Sequence, residues 1–175
     1  MQDLTLVIPA KHESESLPIF LKEIKYCLCK KIIVLDENDL KTIDAIKNFN
    51  EIEILYQKKI GYGSALIEGI NSVNTTFFCI INADGSMNPS YLPSMLEKVK
   101  NKNLDFLFAS RYEKPDGGSD DDNFITSIGN FFFTSIGNLF FSLNISDILF
   151  TYVLGKKKNF QNLKITSEDF TFCVE

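Results

Sequence analysis

The amino-acid sequence predicts an α/β fold, a mostly parallel central sheet with helices on both faces. Two patterns carry that expectation. Short β-rich apolar runs at residues 4–8, 32–35, 52–55, 77–81 and 106–109 have the length and composition of strands buried on both faces. The segments between them place apolar residues at helical spacing, and strands alternating with helices imply parallel pairing through right-handed crossovers. With 175 residues, 45% of them hydrophobic and 23% charged, the chain is long enough for one domain, 1–175, with a substantial core.

The elements follow in order. The first strand, residues 4–8, runs into "PAKHESES", after which Ser14 can cap a helix over residues 15–30 with Leu17, Phe20, Leu21, Ile24 and Leu28 on one face. The second strand ends in "LDENDLK", and the third leads into "KKIGYGSALIEG". The fourth ends in "NADGS"; a helix over 89–100 then starts after Asn88, with Pro89 in its first turn and Leu92, Met95, Leu96 and Val99 on one face. The fifth strand ends in "ASRY". Next comes the acidic stretch "KPDGGSDDDN", which reads as a solvated loop or a lid. Residues 123–146 carry no charge, repeat "SIGN" from Ser127 and from Ser135, and include six phenylalanines. The Asn and Gly interruptions argue against a membrane-spanning helix. An amphipathic helix or helix pair at a membrane surface and a buried or dimer-forming helix both stay open, although interfacial helices usually carry basic residues.

Several function classes are excluded. A net charge of −5 argues against a nucleic-acid partner. Cys27, Cys29, Cys79 and Cys173 lack metal-ligand spacing and read as reduced thiols of a cytoplasmic protein, in keeping with a first strand that no signal-like segment precedes. "PAKHESES" contains no glycine, which removes a dinucleotide fingerprint, and no GxxxxGK[ST] loop occurs. A single histidine, His12, and no Gly-x-Ser-x-Gly elbow leave a Ser-His-Asp hydrolase without support.

The strand ends are the informative places, because ligands of such sheets bind beyond them. Glu13, Asp36 with Glu37, and Asp84 should converge at one edge with Arg111. That set suits a ligand carrying both cation and anion, such as a metal with a diphosphate. The plainer alternatives are that acidic residues favour loops, that Asp84-Gly85 is an ordinary turn, and that Arg111 forms a strand-end ion pair.

Taken in order, "LVIPAKHESESLP", "IIVLDEND", "GYGSALIEG", "NADGSMNPSYLPSML" and "FASRY" resemble the motifs of family 2 glycosyltransferases of the Rossmann-like GT-A fold. The similarity is greatest to the dolichol- and polyprenyl-phosphate mannosyl- and glucosyltransferases, and extends to "DFTFCVE" at the end of the chain. The resemblance implies a nucleotide-sugar-binding part over 1–112 and an acceptor-side part over 113–175. It places Pro9, Glu13, Asp36, Gly61, Gly63, Asn82 and Asp84 at the nucleotide sugar, the two glycines letting the backbone approach it. Asp84 would hold Mg2+ or Mn2+, Arg111 would grip a phosphate or the sugar, and Asp169 would be the candidate acceptor-side base. The implied reaction moves a hexose, with inversion, from a GDP- or UDP-linked donor to an acceptor such as polyprenyl or dolichyl phosphate. A sugar-hydroxyl acceptor and a catalytically silent binding module are the alternatives, and a peripheral location at the cytoplasmic face of a membrane and a homodimer are compatible with it. The chain departs from the family pattern in three places: Asn82 replaces the first Asp of Asp-x-Asp, Asp36-Glu37-Asn38-Asp39 replaces Asp-Asp-Gly-Ser, and residues 123–146 lack the basic side chains that would grip an acceptor phosphate.

Overall fold

The computed structural model describes residues 1–112 and 124–175; the acidic stretch 114–123 lies outside the described residues. Six strands form one sheet in the order β3-β2-β1-β4-β6-β5. They are β1 (Leu4–Pro9), β2 (Lys30–Leu35), β3 (Glu53–Tyr56), β4 (Phe77–Ile80), β5 (Phe106–Phe108) and β6 (Val153–Lys156). β1 is central, parallel to β2 on one side and to β4 on the other, with Val7 aligned to Ile32 and Ile80. β6 runs antiparallel to both β4 and β5. This sixth strand is the element that sequence pattern misses: four residues, "VLGK", carry no alternation, and their strand state comes from the neighbours that bond them on both sides. Because β6 completes the sheet, the division at residue 112 separates segments of chain and not separate layers.

Alternation along β1 builds the two faces. Leu4, Leu6 and Ile8 pack with Leu17 and Phe20 of α1 (Ser16–Glu23), Ile46 of α2 (Leu40–Ile46), and Leu92, Met95 and Val99 of α4 (Leu92–Asn101). Val7 faces the other way, against Leu66 and Ile70 of α3 (Tyr62–Ser72) and Phe160 of α6 (Lys157–Leu163). Helices therefore cover both faces, as expected. The α4 region matches the sequence reading in its start signal and its face: the Asn88 side chain accepts from Ser90 N–H at 2.9 Å and the anticipated apolar face is buried, but Pro89–Tyr91 form a 3-10 turn and the α-helix itself begins at Leu92.

Two expectations need correction. α1 ends at Glu23, followed by a 3-10 turn over Ile24–Tyr26, so Leu28 is exposed and belongs to no helical face. β2 must begin at Lys30 to stand in register with Thr5, and residues 27–29 are needed to reach it. Ser14 does not cap the helix; the Ser16 hydroxyl instead donates to the Glu13 carboxylate. The outer strands β3 and β5 are also only partly buried, because each has a neighbour on one side alone.

Residues 124–141 form one helix, α5 (Phe124–Phe141), and not a pair. Three of its polar side chains point inward. Asn130 Oδ1 accepts from Leu149 N–H, Thr134 Oγ1 from Ile148 N–H, and Asn138 both accepts from Ile145 N–H and donates to Ile145 C=O. Spaced four apart, these three residues form one line along the helix that satisfies the backbone of residues 145–149. The asparagines of the repeated "SIGN", Asn130 and Asn138, thus both hold the irregular segment that follows the helix.

Candidate active site

β1 connects forward to β2 and β3 on one side, while β4 returns to its other side, so the chain direction switches between β1 and β4. The loops after these strands part there and leave a cavity of about 470 Å3. Pro9, Glu13, Asp36, Gly61, Asn82, Asp84 and Asp169, all named by the motifs, line it. Lys11, Gln57, Tyr62 and Phe170 line it as well.

Three of the carboxylates are held in the same way. Oδ1 of Asp36 accepts from Asn38 N–H at 2.8 Å, Oδ1 of Asp84 from Ser86 N–H at 2.9 Å, and Oδ1 of Asp169 from Thr171 N–H at 2.8 Å. Each is an Asx turn, in which an aspartate bonds the backbone two residues on. Oδ2 of each takes no hydrogen bond or ion pair from another described residue and is available to a ligand. The backbone and side chain of Asn38 hold the Asp36 carboxyl below its ordinary range, and the Thr171 hydroxyl and N–H do the same for Asp169. Both are therefore anions at neutral pH. At Asp84 the turn is completed by Gly85 at φ +80°, and the carboxylate is exposed at the cavity. The ordinary Asp-Gly turn and the available carboxylate are thus the same object.

The loop after β1 is fixed from beneath by a residue outside the expected set. Asp39 is buried; its carboxylate accepts from His12 N–H at 2.7 Å and caps α2 through Thr42 N–H. Burial works against its charge, but these bonds prevail and hold its carboxyl below the ordinary range. Thr42 Oγ1 in turn accepts from Glu13 N–H at 3.0 Å, so the altered second-strand motif anchors the loop that carries Glu13.

Gly61 and Gly63 are also approached closely by another part of the chain. Ser64 N–H donates to Glu168 C=O at 3.0 Å, and a Cβ at Gly61 or Gly63 would collide with the backbone carbonyls of Glu168 or of Ser167 and Asp169. The C-terminal segment thus crosses both glycines at a distance that leaves no room for a Cβ; Gly61 lines the cavity as well, and Gly63 lies outside its lining. That segment is clipped by the Lys59–Glu168 ion pair and by the Glu175 carboxylate, which accepts from Thr166 and Ser167 N–H. It lays Phe170 on Tyr62, ring centroids 4.9 Å apart, and places Asp169 on the cavity wall. The Tyr62 hydroxyl meets Thr151 Oγ1 at 2.8 Å and donates to Asn82 Oδ1 at 3.3 Å, and burial pushes its pKa up to about 12. Tyr62 stays protonated and orients Asn82.

Arg111 is not brought into this set by the fold. Its guanidinium forms a fork on Asp147, Nε to Oδ2 at 2.8 Å and Nη2 to Oδ1 at 2.9 Å, and lies over Tyr112 and Phe150; it is not part of the cavity lining. The Asp147 side chain is fully buried. The strand-end ion pair is thus what the fold builds, and Asp147 had no local signal to reveal it.

No cluster of three or more His, Cys, Asp or Glu side chains suited to a metal occurs among the described residues. Asp84, with Asn82 two residues before it, fits Mg2+ or Mn2+ only as part of a ligand set whose remainder is diphosphate oxygen and water, a usual arrangement for Mg2+ at phosphates.

An α/β sheet with a carboxylate-lined cavity at its switch point is the layout in which open α/β folds bind their ligands. Residues 5–164 match the model of Glycosyl transferase family 2, and the chain belongs to that family. Uncharacterised glycosyltransferases of Mycobacterium bovis and Mycobacterium tuberculosis are 29% identical over 108 residues, 62% of this chain and 48% of theirs. The chain spans about half the length of these curated relatives. In structure it is similar to mannosyl-3-phosphoglycerate synthase from Rubrobacter xylanophilus, with TM-score 0.70 and 16% identity over 90% of this chain and 54% of that one. It is also similar to glucosyl-3-phosphoglycerate synthase from Mycobacterium tuberculosis in complex with Mn2+, UDP and phosphoglyceric acid, with TM-score 0.65 and 11% identity over 89% and 56% of the two chains. S. aureus TarS 1-349 in complex with UDP-GlcNAc has TM-score 0.59 and 11% identity, covering 99% and 52%. These likenesses establish the GT-A fold.

Proposed function

We propose that the protein transfers a hexosyl group from a nucleoside-diphosphate sugar bound in the 470 Å3 cavity to an acceptor, with inversion at the anomeric carbon. The observation that carries this reading is the set of Asx-turn carboxylates, Asp36, Asp84 and Asp169, each with one oxygen available at the switch point. Asp36 and Glu13 accept hydrogen bonds from ribose or base, and Pro9 and Gly61 form the walls beside them. A Mg2+ or Mn2+ held by Asp84 supplies positive charge to the departing diphosphate when bound. The acceptor oxygen bonds to the anomeric carbon as the bond to the diphosphate breaks, its electron pair leaving with the phosphate oxygen.

Asp169 bears on the acceptor. It lies on the cavity wall as an anion, and an acceptor oxygen that is already ionised needs no general base there, whereas a sugar hydroxyl does. A phosphate-bearing acceptor fits, and polyprenyl or dolichyl phosphate is the one that the motif pattern supports; the acceptor-side part is then 113–175, and a cytoplasmic protein, peripheral at a membrane, goes with it. A second reading, a silent nucleotide-sugar-binding module, is favoured by Asn82, engaged by Tyr62, and by Arg111, engaged by Asp147.

Calorimetric titration with UDP, GDP and their hexose conjugates, with and without Mg2+ or Mn2+, tests the donor site. Metal-dependent binding of one nucleotide is expected, followed by transfer of its radiolabelled sugar to polyprenyl phosphate. Absence of nucleotide binding by folded protein overturns the proposal, and tight binding without transfer to any phosphate acceptor favours the silent module.

A further inference from the structure

α5 is turned inside out relative to an ordinary surface helix. Its polar line, Asn130, Thr134 and Asn138, faces the body of the protein, and the aromatic residues from Phe131 onward are exposed. Phe131 is 75% exposed, Phe132 59%, Phe133 51%, Leu139 77%, Phe140 74% and Phe141 74%. Opposite the polar line, Phe132, Phe133, Leu139 and Phe140, at roughly 150–250 Å2 for each such side chain, present on the order of 500 Å2 of apolar surface, and Phe131 and Phe141 extend it at its margins. A monomer's largest apolar patch is ordinarily about 300–600 Å2, and a stable interface takes about 800 Å2 from each partner.

We propose that this face is covered by a second copy of the same chain, α5 packing antiparallel on α5 across a two-fold axis. Three observations select that occupant. The area, with Phe131 and Phe141 at its margins, approaches the ~800 Å2 per partner of a standard-size dimer. The face is self-similar, because "TSIGN" followed by three apolar residues occurs twice at a spacing of eight, from Thr126 and from Thr134. A two-fold axis near Ile136 sets Phe132 of one protomer against Phe140 of the partner subunit, and the reverse contact follows by symmetry. Charge disfavours a lipid surface: residues 124–155 contain no Lys or Arg, and the chain carries a net charge of −5, so nothing on this face attracts anionic headgroups. An uncharged face meets no electrostatic penalty against its own copy.

Sedimentation velocity of the full chain over a range of micromolar concentrations tests the proposal, with Phe132→Asp/Phe140→Asp as the disrupting variant. A dimer is expected for the wild type, and a dissociation constant raised at least ~100-fold for the double variant, with unchanged far-UV circular dichroism. Ile136→Cys, close to the axis, should form an oxidised cross-linked dimer that the wild type, with its native cysteines, does not form; this readout stands even if the double variant fails to fold. A wild-type monomer across the whole range overturns the proposal. If that monomer floats with phosphatidylcholine vesicles, the occupant of the face is a lipid surface and not a second copy.

Discussion

Asp84 and Asp147 are both aspartates beside β-strand ends, and they are held in opposite ways. Asp84 bonds a backbone N–H two residues away, stays exposed, and keeps one oxygen for a ligand. Asp147 reaches across thirty-six residues to Arg111, is fully buried, and has both oxygens engaged. A local turn makes a carboxylate available; a long-range ion pair consumes one. The first arrangement suits binding and costs the fold little if removed, whereas the second holds the segment after α5 and leaves an unpaired buried charge if broken.

The largest effect should come from the available carboxylate. Asp84→Ala is expected to weaken metal-dependent nucleotide binding at least ~100-fold in calorimetry while leaving the unfolding midpoint in place. Unchanged binding would remove Asp84 from the metal site. Asp147→Asn should do the reverse, lowering stability by about 3 kcal/mol in denaturant titration, because Arg111 loses its charged partner. The pair Arg111→Met/Asp147→Leu should recover most of that loss, and failure to recover would show that the ion pair does more than fill space. Gly63→Ala is predicted to cost about 1–3 kcal/mol, since its Cβ would displace the backbone of Ser167 and Asp169. It should weaken nucleotide binding several-fold by moving Asp169 and Phe170, which calorimetry would register. The smallest effect concerns pH. Hydrogen bonds from Ser167 and Thr166 hold the Glu175 carboxyl below its ordinary value. Its contribution is therefore present above the unfolded value of about 4.3 and lost as pH falls through the lower folded one. Amide protection at Thr166 and Ser167, corrected for intrinsic exchange, should drop below that pH in the wild type and be low throughout in Glu175→Gln.

Much of the cavity was legible in the chain because its parts are local. Asp36, Asp84 and Asp169 sit in turns whose geometry is set within three residues, and apolar runs announce the strands that deliver the first two. Asn88 and Pro89 likewise marked the start of the 89–101 helical segment. What escaped was set by distant partners. β6 is a strand because β4 and β5 flank it; Gly61 and Gly63 have no room for a Cβ because the C-terminal segment crosses them; Arg111 is paired with Asp147. The inward polar line of α5 was equally hidden, since spacing gives a helix two faces and does not say which one the body takes.

The sequence by itself determined the α/β alternation, the family, and the carboxylates at the strand ends, because periodicity and short-range hydrogen bonds are written in neighbouring residues. Only the tertiary structure decided which of the charged groups are available and which are consumed, and which face of α5 meets solvent. Those outcomes depend on what each side chain finds after the chain has closed on itself, and a carboxylate thirty-six residues from its arginine has no local pattern to declare the pairing.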